Sequence, residues 1–157
     1  GIGAFAVQIA KHLGAYVATT AKACDLGFVK ELGADEVVDY EAQRFEDLLR
    51  EYDAVFDASG GGGETYARSF QVVKKGGMIV SMTEQPRNDL AEQYGVSTMR
   101  QSTDVTRERL EKIAELVDQG ILKVFVDKIF PLGEAAEALT YLQTEHTRGK
   151  VVLEIKS

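Results

Sequence analysis

Gly1-Ile2-Gly3-Ala4-Phe5-Ala6-Val7-Gln8-Ile9-Ala10-Lys11, running on through Gly14 to Tyr16-Val17-Ala18-Thr19-Thr20, decides the fold. Phe5, Ile9 and Leu13 are spaced by four, with Ala6 and Ala10 beside them, which predicts one helical face over Ala4–Leu13. Gly14 supplies its C-terminal stop. Tyr16–Thr20 follows as a short β-prone run. A glycine turn opening a helix presents free backbone N–H groups and the positive end of the helix dipole, so phosphate is its natural guest. The same three residues also fit an ordinary turn before a helix.

Outward from that stretch the pattern repeats. Helices are expected over Leu26–Leu32, with Gly33 as stop, and over Phe45–Arg50. Short apolar strands are expected within Glu36–Tyr40, within Tyr52–Ala58 (buried on both faces) and over Met78–Ser81. Gly60–Gly63 is a glycine run, and Tyr66–Val73 a helix ended by Gly76-Gly77. Thr83–Tyr94 reads as a surface loop with a short helix, and Val96–Arg100 as an edge strand. Leu110, Ile113, Leu116 and Val117 define an amphipathic helix ended at Gly120, its acidic side solvated and its leucines over core. A strand over Val124–Phe130, a helix over Glu134–Leu142 and a β-rich Lys150–Ile155 complete the chain. Continuous apolar strands alternating with helices predict an α/β fold, a parallel sheet covered on both faces, in one domain spanning 1–157.

Composition narrows the function. A net charge of −7 argues against non-specific nucleic-acid binding. A single cysteine, Cys24, excludes an internal disulfide and a multi-cysteine zinc site, and His12 and His146 supply a histidine site poorly, so no metal ligand set is assigned. The reducing cytoplasm is the simplest home for such a chain. No stretch approaches the ~20 apolar residues of a membrane helix, so no membrane partner is expected. The chain opens inside a turn without an initiator Met, which leads us to expect further chain upstream.

In a dinucleotide fold the strand after the first helix ends at the adenosine ribose. Here it ends in Thr20-Ala21-Lys22, without the acid that usually holds a ribose 2′-hydroxyl. Lys22 would suit a 2′-phosphate, favouring NADP; it would equally serve as a solvated surface lysine.

Six stretches, in order, resemble the zinc-free NADPH:quinone oxidoreductases of the medium-chain dehydrogenase/reductase superfamily. They are Gly1–Lys11, Leu32–Tyr40, Asp53–Gly61, Lys75–Ser81, Phe130–Ala138 and Arg148–Leu153. The resemblance implies a Rossmann-type doubly wound sheet lacking its first strand in this chain, and a separate domain carrying most of the substrate pocket and, in zinc-dependent members, the metal ligands. It implies that Gly1, Ile2 and Gly3 sit under the diphosphate, that Thr20 and Lys22 face the adenosine ribose and its phosphate, and that Tyr40 packs beside that phosphate. Ser59 and Gly60 would border the cofactor at the end of the fourth strand, and Ser81 and Met82 the nicotinamide at the end of the fifth. It implies an NADP-dependent enzyme passing hydride to a small molecule, a quinone or an activated alkene or carbonyl, and a homodimer paired through Val96–Arg100.

No residue reads as a general acid or as any other catalytic group. Asp53 and Asp57 lack a partner base, Cys24 has no nearby His or Cys in sequence, and His12 suits the end of its helix. A zinc-dependent alcohol dehydrogenase of the same superfamily and a non-catalytic dinucleotide-binding or assembly module are the competing readings.

Overall fold

The computed structural model describes residues 1–60 and 63–155. Gly61 and Gly62, within the glycine run, and the last two residues of the domain lie outside the described residues.

Helix α1 (Ile2–His12) leads into strand β1 (Ala18–Ala21), and α2 (Leu26–Glu31) into β2 (Glu36–Asp39). These strands pair in parallel, Thr19 against Val37 and Thr20 against Val38. The short α3 (Phe45–Leu48) precedes β3 (Tyr52–Asp57), and α4 (Glu64–Ser69) precedes β4 (Val73–Ser81). After α5 (Asn88–Tyr94), β5 (Ser97–Arg100) joins the far side of β4, giving a parallel sheet in the order β3-β4-β5. The long helix α6 (Arg107–Asp118) is followed by β6 (Val126–Pro131), α7 (Ala135–Thr144) and β7 (Lys150–Glu154), with β6 and β7 again parallel.

Every pairing is parallel, as continuous apolar strands joined by helices require. Among the described residues the strands form three sheets, β1-β2, β3-β4-β5 and β6-β7. In the doubly wound order 3-2-1-4-5-6, β2 and β1 occupy positions three and two, and β3, β4 and β5 positions four to six. Among the described residues no strand stands at position one, and β1 and β3 each carry a ladder on one side only. Side chains bridge the two sheets instead. Val38, Phe45, Leu49 and Val72 are buried together, with Ala18, Tyr52 and Val55 against them. The Tyr52 hydroxyl donates to Glu36 at 3.0 Å. Burial, then that hydrogen bond and the carboxylate's charge, push the phenol up to about 12.

A second cluster of Tyr66, Phe70, Val73, Ile79 and Val96 packs α4 and α5 on the three-stranded sheet. A third, of Val7, Leu32 and Ala34 with Phe28 and Phe125, fastens the last third of the chain to α1 and α2. Gln8 completes that joint. Its amide nitrogen donates to the carbonyl of Lys123 at 3.2 Å, and its oxygen accepts from the Lys123 N–H at 2.8 Å.

Three sequence expectations change. The helix expected over Tyr66–Val73 stops at Ser69, and Gly76-Gly77 is no helix stop but part of β4. Between Tyr52↔Val73 and Ala54↔Met78 the register slips, and the extra residues of β4 loop out there. Gly77 is required at that bulge because a Cβ would stand 2.6 Å from the Asp53 carbonyl oxygen. Strand β3, expected to be buried on both faces, leaves Ala54 and Phe56 exposed. Phe56, Met78 and Met99 share this open sheet face, at 45, 41 and 42% exposure. Helix α6 does not cover it: Leu110, Ile113 and Val117 remain solvent-facing, contrary to the expected leucine-over-core packing.

Candidate functional site

The carboxyl ends of parallel strands are where open α/β sheets bind ligands. Helix α1 returns antiparallel to β1, so its N-terminus lies at that end. Gly1 and Gly3 are exposed there, and a Cβ on either would meet nothing within 4 Å. The first-turn backbone N–H groups of a helix have no partner within it, and such groups are what a diphosphate binds.

A cation lies beside this turn that sequence reasoning gave no role. Lys150, the first residue of β7, places its ammonium 5.6 Å from the Phe5 ring centroid. Lys150 is held by its own backbone N–H, which donates to the Phe125 carbonyl at 2.8 Å. Its only signal in the sequence was the stretch Arg148–Leu153 that carried the family resemblance.

At the ends of β1 and β2, Thr20, Lys22 and Tyr40 come together. The Tyr40 N–H donates to the Ala21 carbonyl at 3.2 Å, and Tyr40 itself is half exposed. Lys22 is 3.5 Å from the Glu41 carboxylate, an exposed and weak ion pair that leaves the ammonium available.

At the ends of β3 and β4 the organising group is Asp57, a buried carboxylate. One oxygen accepts from the Ser59 N–H at 3.1 Å and from its hydroxyl at 2.6 Å. The other accepts from the Ser81 hydroxyl at 2.9 Å. The Ser81 oxygen in turn accepts from the Glu84 N–H at 3.0 Å, and the Met82 N–H donates to the Asp57 carbonyl at 2.9 Å. Ser81 is completely buried, so its hydroxyl shapes the strand end rather than facing a ligand. Ser59, Gly60 and Met82 form the accessible lip; Gly60 has φ +63°, and a side chain there would be strained.

The structure also joins residues the sequence kept apart. Asp25, just beyond β1, accepts from Arg148 Nε at 2.5 Å and is hydrogen-bonded to His146 Nε2. Burial opposes ionisation of Asp25, but the bonds from His146 and Arg148 outweigh it and hold the carboxyl below its usual range. Cys24 is therefore not remote from histidine, as its sequence position suggested.

Parallel strands joined by helices, a glycine-led first helix and Lys22 at the carboxyl end of β1 define a dinucleotide-fold α/β domain. The sequence pattern of the zinc-binding dehydrogenases matches residues 32–153, and the chain belongs to that family. It is 34% identical over 98% of its length to an NADPH-dependent alkenal/one oxidoreductase of Arabidopsis thaliana, of which it covers 38%. It is 32% identical to a 2-methylene-furan-3-one reductase of Solanum lycopersicum, with 98% of the chain and 37% of that protein covered. The quinone oxidoreductase of Coxiella burnetii superposes with a TM-score of 0.88 at 31% identity, over 99% of this chain and 50% of that one. The chain thus spans half or less of the length of these relatives. Their likeness makes the fold a Rossmann-type α/β arrangement of the medium-chain dehydrogenase/reductase kind.

Proposed function

We propose that this chain is the NADP-binding part of an oxidoreductase that delivers hydride to a small molecule, a quinone or an activated alkene or carbonyl. The observation that carries the reading is the Lys150 ammonium beside the glycine-led first turn of α1, with Lys22 and Tyr40 at the carboxyl ends of β1 and β2. The relatives named as NADPH-dependent and quinone reductases support it.

In this reading Gly1, Ile2 and Gly3 lie under the diphosphate, with Lys150 as its counter-charge. Thr20 and Lys22 face the adenosine ribose and its 2′-phosphate, and Tyr40 packs beside them. Ser59 and Gly60 border the cofactor at the end of β3. Met82 and the backbone of Ser81 border the nicotinamide at the end of β4, with Asp57 fixing both lips. Bound NADPH supplies the hydride; the residues of this chain bind it, orient it and exclude water. None of them is assigned a catalytic role, and the substrate pocket belongs to protein outside this chain.

Titration of NADPH and NADH against the protein in its full natural length tests the cofactor. NADPH binds more tightly, and Lys22→Ala weakens NADPH about tenfold, the equivalent of ~1.4 kcal/mol, while leaving NADH unchanged. Equal or tighter binding of NADH defeats the assignment.

The outer edge of β5 carries no ladder partner among the described residues. We assign it to a homodimer in which two copies of β5 pair about a two-fold axis. Light scattering checks this: the full-length protein should run at twice its monomer mass, and a monomer at micromolar concentration refutes it. A cytoplasmic location remains our reading, on the single unpaired Cys24. No helix among the described residues is long and apolar enough to cross a membrane.

A further inference from the structure

Beside the cofactor corner, the fold draws together three residues of metal-ligand type from the two ends of the chain. Cys24 and Asp25 lie in the 3-10 turn Ala23–Asp25 that follows β1, and His146 in the loop between α7 and β7, 121 residues beyond Asp25. One ligand atom of each, the Cys24 sulfur, an Asp25 carboxylate oxygen and a His146 ring nitrogen, lies within 4.8 Å of the other two. The geometry points to a binding site for a thiophilic divalent cation, of the zinc class, held by Cys24, Asp25 and His146.

Three features of the surroundings support a site over a chance meeting. Asp25 is oriented: its side chain is only 12% exposed, and Arg148 Nε holds the carboxylate oxygen that His146 does not. An outer hydrogen bond to a ligating carboxylate is what metal sites use to aim it. Arg148 also donates through Nη2 to the Cys24 carbonyl at 2.5 Å, so one guanidinium fixes the backbone of one ligand and the side chain of the next. Finally, Cys24 and His146 are solvent-exposed, so an ion has an entry path and water a fourth position.

The donor set selects the ion. One sulfur, one nitrogen and one oxygen suit zinc and its spectroscopic substitute cobalt; magnesium and calcium favour all-oxygen sites. Binding releases the Cys24 thiol proton to solvent, the Nε2 proton of the neutral His146 ring is exchanged through solvent to Nδ1, and the hydrogen bond between His146 and Asp25 is replaced by a bond from each to the ion. No electron is transferred. Thiolate and carboxylate together bring two negative charges against the cation's two positive ones. Arg148 leaves the assembly one positive charge in excess, so affinity should fall below that of a closed four-cysteine site. The site stands independently of the nucleotide reading, and its test uses no nucleotide.

Cobalt(II) titration of the full-length protein, followed by zinc, reads the site directly. One equivalent of cobalt should give thiolate-to-cobalt charge-transfer absorption in the near ultraviolet, and zinc should erase it. Cys24→Ser should abolish that band, and His146→Gln should weaken cobalt binding at least tenfold; both positions are exposed, and circular dichroism verifies their folding. X-ray absorption of the zinc-loaded natural sequence, which needs no variant, should show a single sulfur neighbour. Absence of the charge-transfer band overturns the proposal, as does a band that survives both substitutions, which would place the metal elsewhere in the protein. A zinc spectrum with no sulfur neighbour, or with several, also overturns it.

Discussion

Alanine at position 149 should cost this chain about 4 kcal/mol, a large share of the 5–15 kcal/mol a domain of this size possesses. Gly149 has φ +113°, far outside the region open to L side chains. That backbone alone costs a non-glycine residue about 1–3 kcal/mol. The site has no room for the methyl group either. A Cβ would stand 2.8 Å from both the carbonyl carbon and the Cβ of Phe125 and would press on the carbonyl oxygen itself. Overpacking against a rigid partner adds about 1–3 kcal/mol, and Phe125 is rigid because its ring is locked edge-on to Phe28 at 4.9 Å. The same carbonyl accepts the Lys150 N–H, so relief of the clash displaces the cation beside the α1 turn. Urea melts should record the loss of stability, and the substituted full-length protein should bind NADPH more weakly. A change below about 1 kcal/mol would show that the chain passes Phe125 by another route.

What the sequence revealed and what it withheld divide along contact range. The elements around β1, β2 and β4 were legible because their evidence is local: apolar runs of β-prone residues such as Val37-Val38 and Met78-Ile79-Val80, each preceded by a periodic helix. The role of Gly76-Gly77 was misread because two glycines after a helix look alike whether they end it or make room for Asp53 on the neighbouring strand. The exposure of Phe56 was hidden for a similar reason. Its apolar neighbours predict burial, but only the placement of α6 and the open strand position decide what covers that face. The strand-end positions of Thr20, Lys22 and Tyr40 were legible because strand ends can be located in sequence. Lys150 lies 145 residues from the ring it approaches, and Cys24 and Asp25 more than 120 from His146, so no spacing rule could pair them. Ser81 shows the converse limit. Its position at a strand end was legible, but that its hydroxyl is spent on Asp57 and the Glu84 N–H depends on the turn after β4.

Phe70→Ala should destabilise the chain by about 3–5 kcal/mol, the range for a large aromatic side chain removed from a core. Phe70 is 0% exposed and sits where α4 meets the three-stranded sheet. Its ring packs edge-on to Tyr66 at 5.4 Å and tilted on Tyr94 at 6.0 Å, so one truncation breaks two aromatic contacts worth about 0.5–1.5 kcal/mol each beyond their burial. The surroundings cannot close over the void cheaply: Tyr66 and Ile79 are themselves buried, and Val96 anchors the entry to β5. Phe56→Ala supplies the internal control. It removes the same side chain from a strand of the same sheet, but from its uncovered face at 45% exposure, so the expected change is below about 1 kcal/mol. The difference between the two truncations therefore measures which face of β3-β4-β5 is the interior. Equal losses would mean that α6 or another segment closes over Phe56 in solution, and a larger loss at Phe56 would invert the layering described for this sheet.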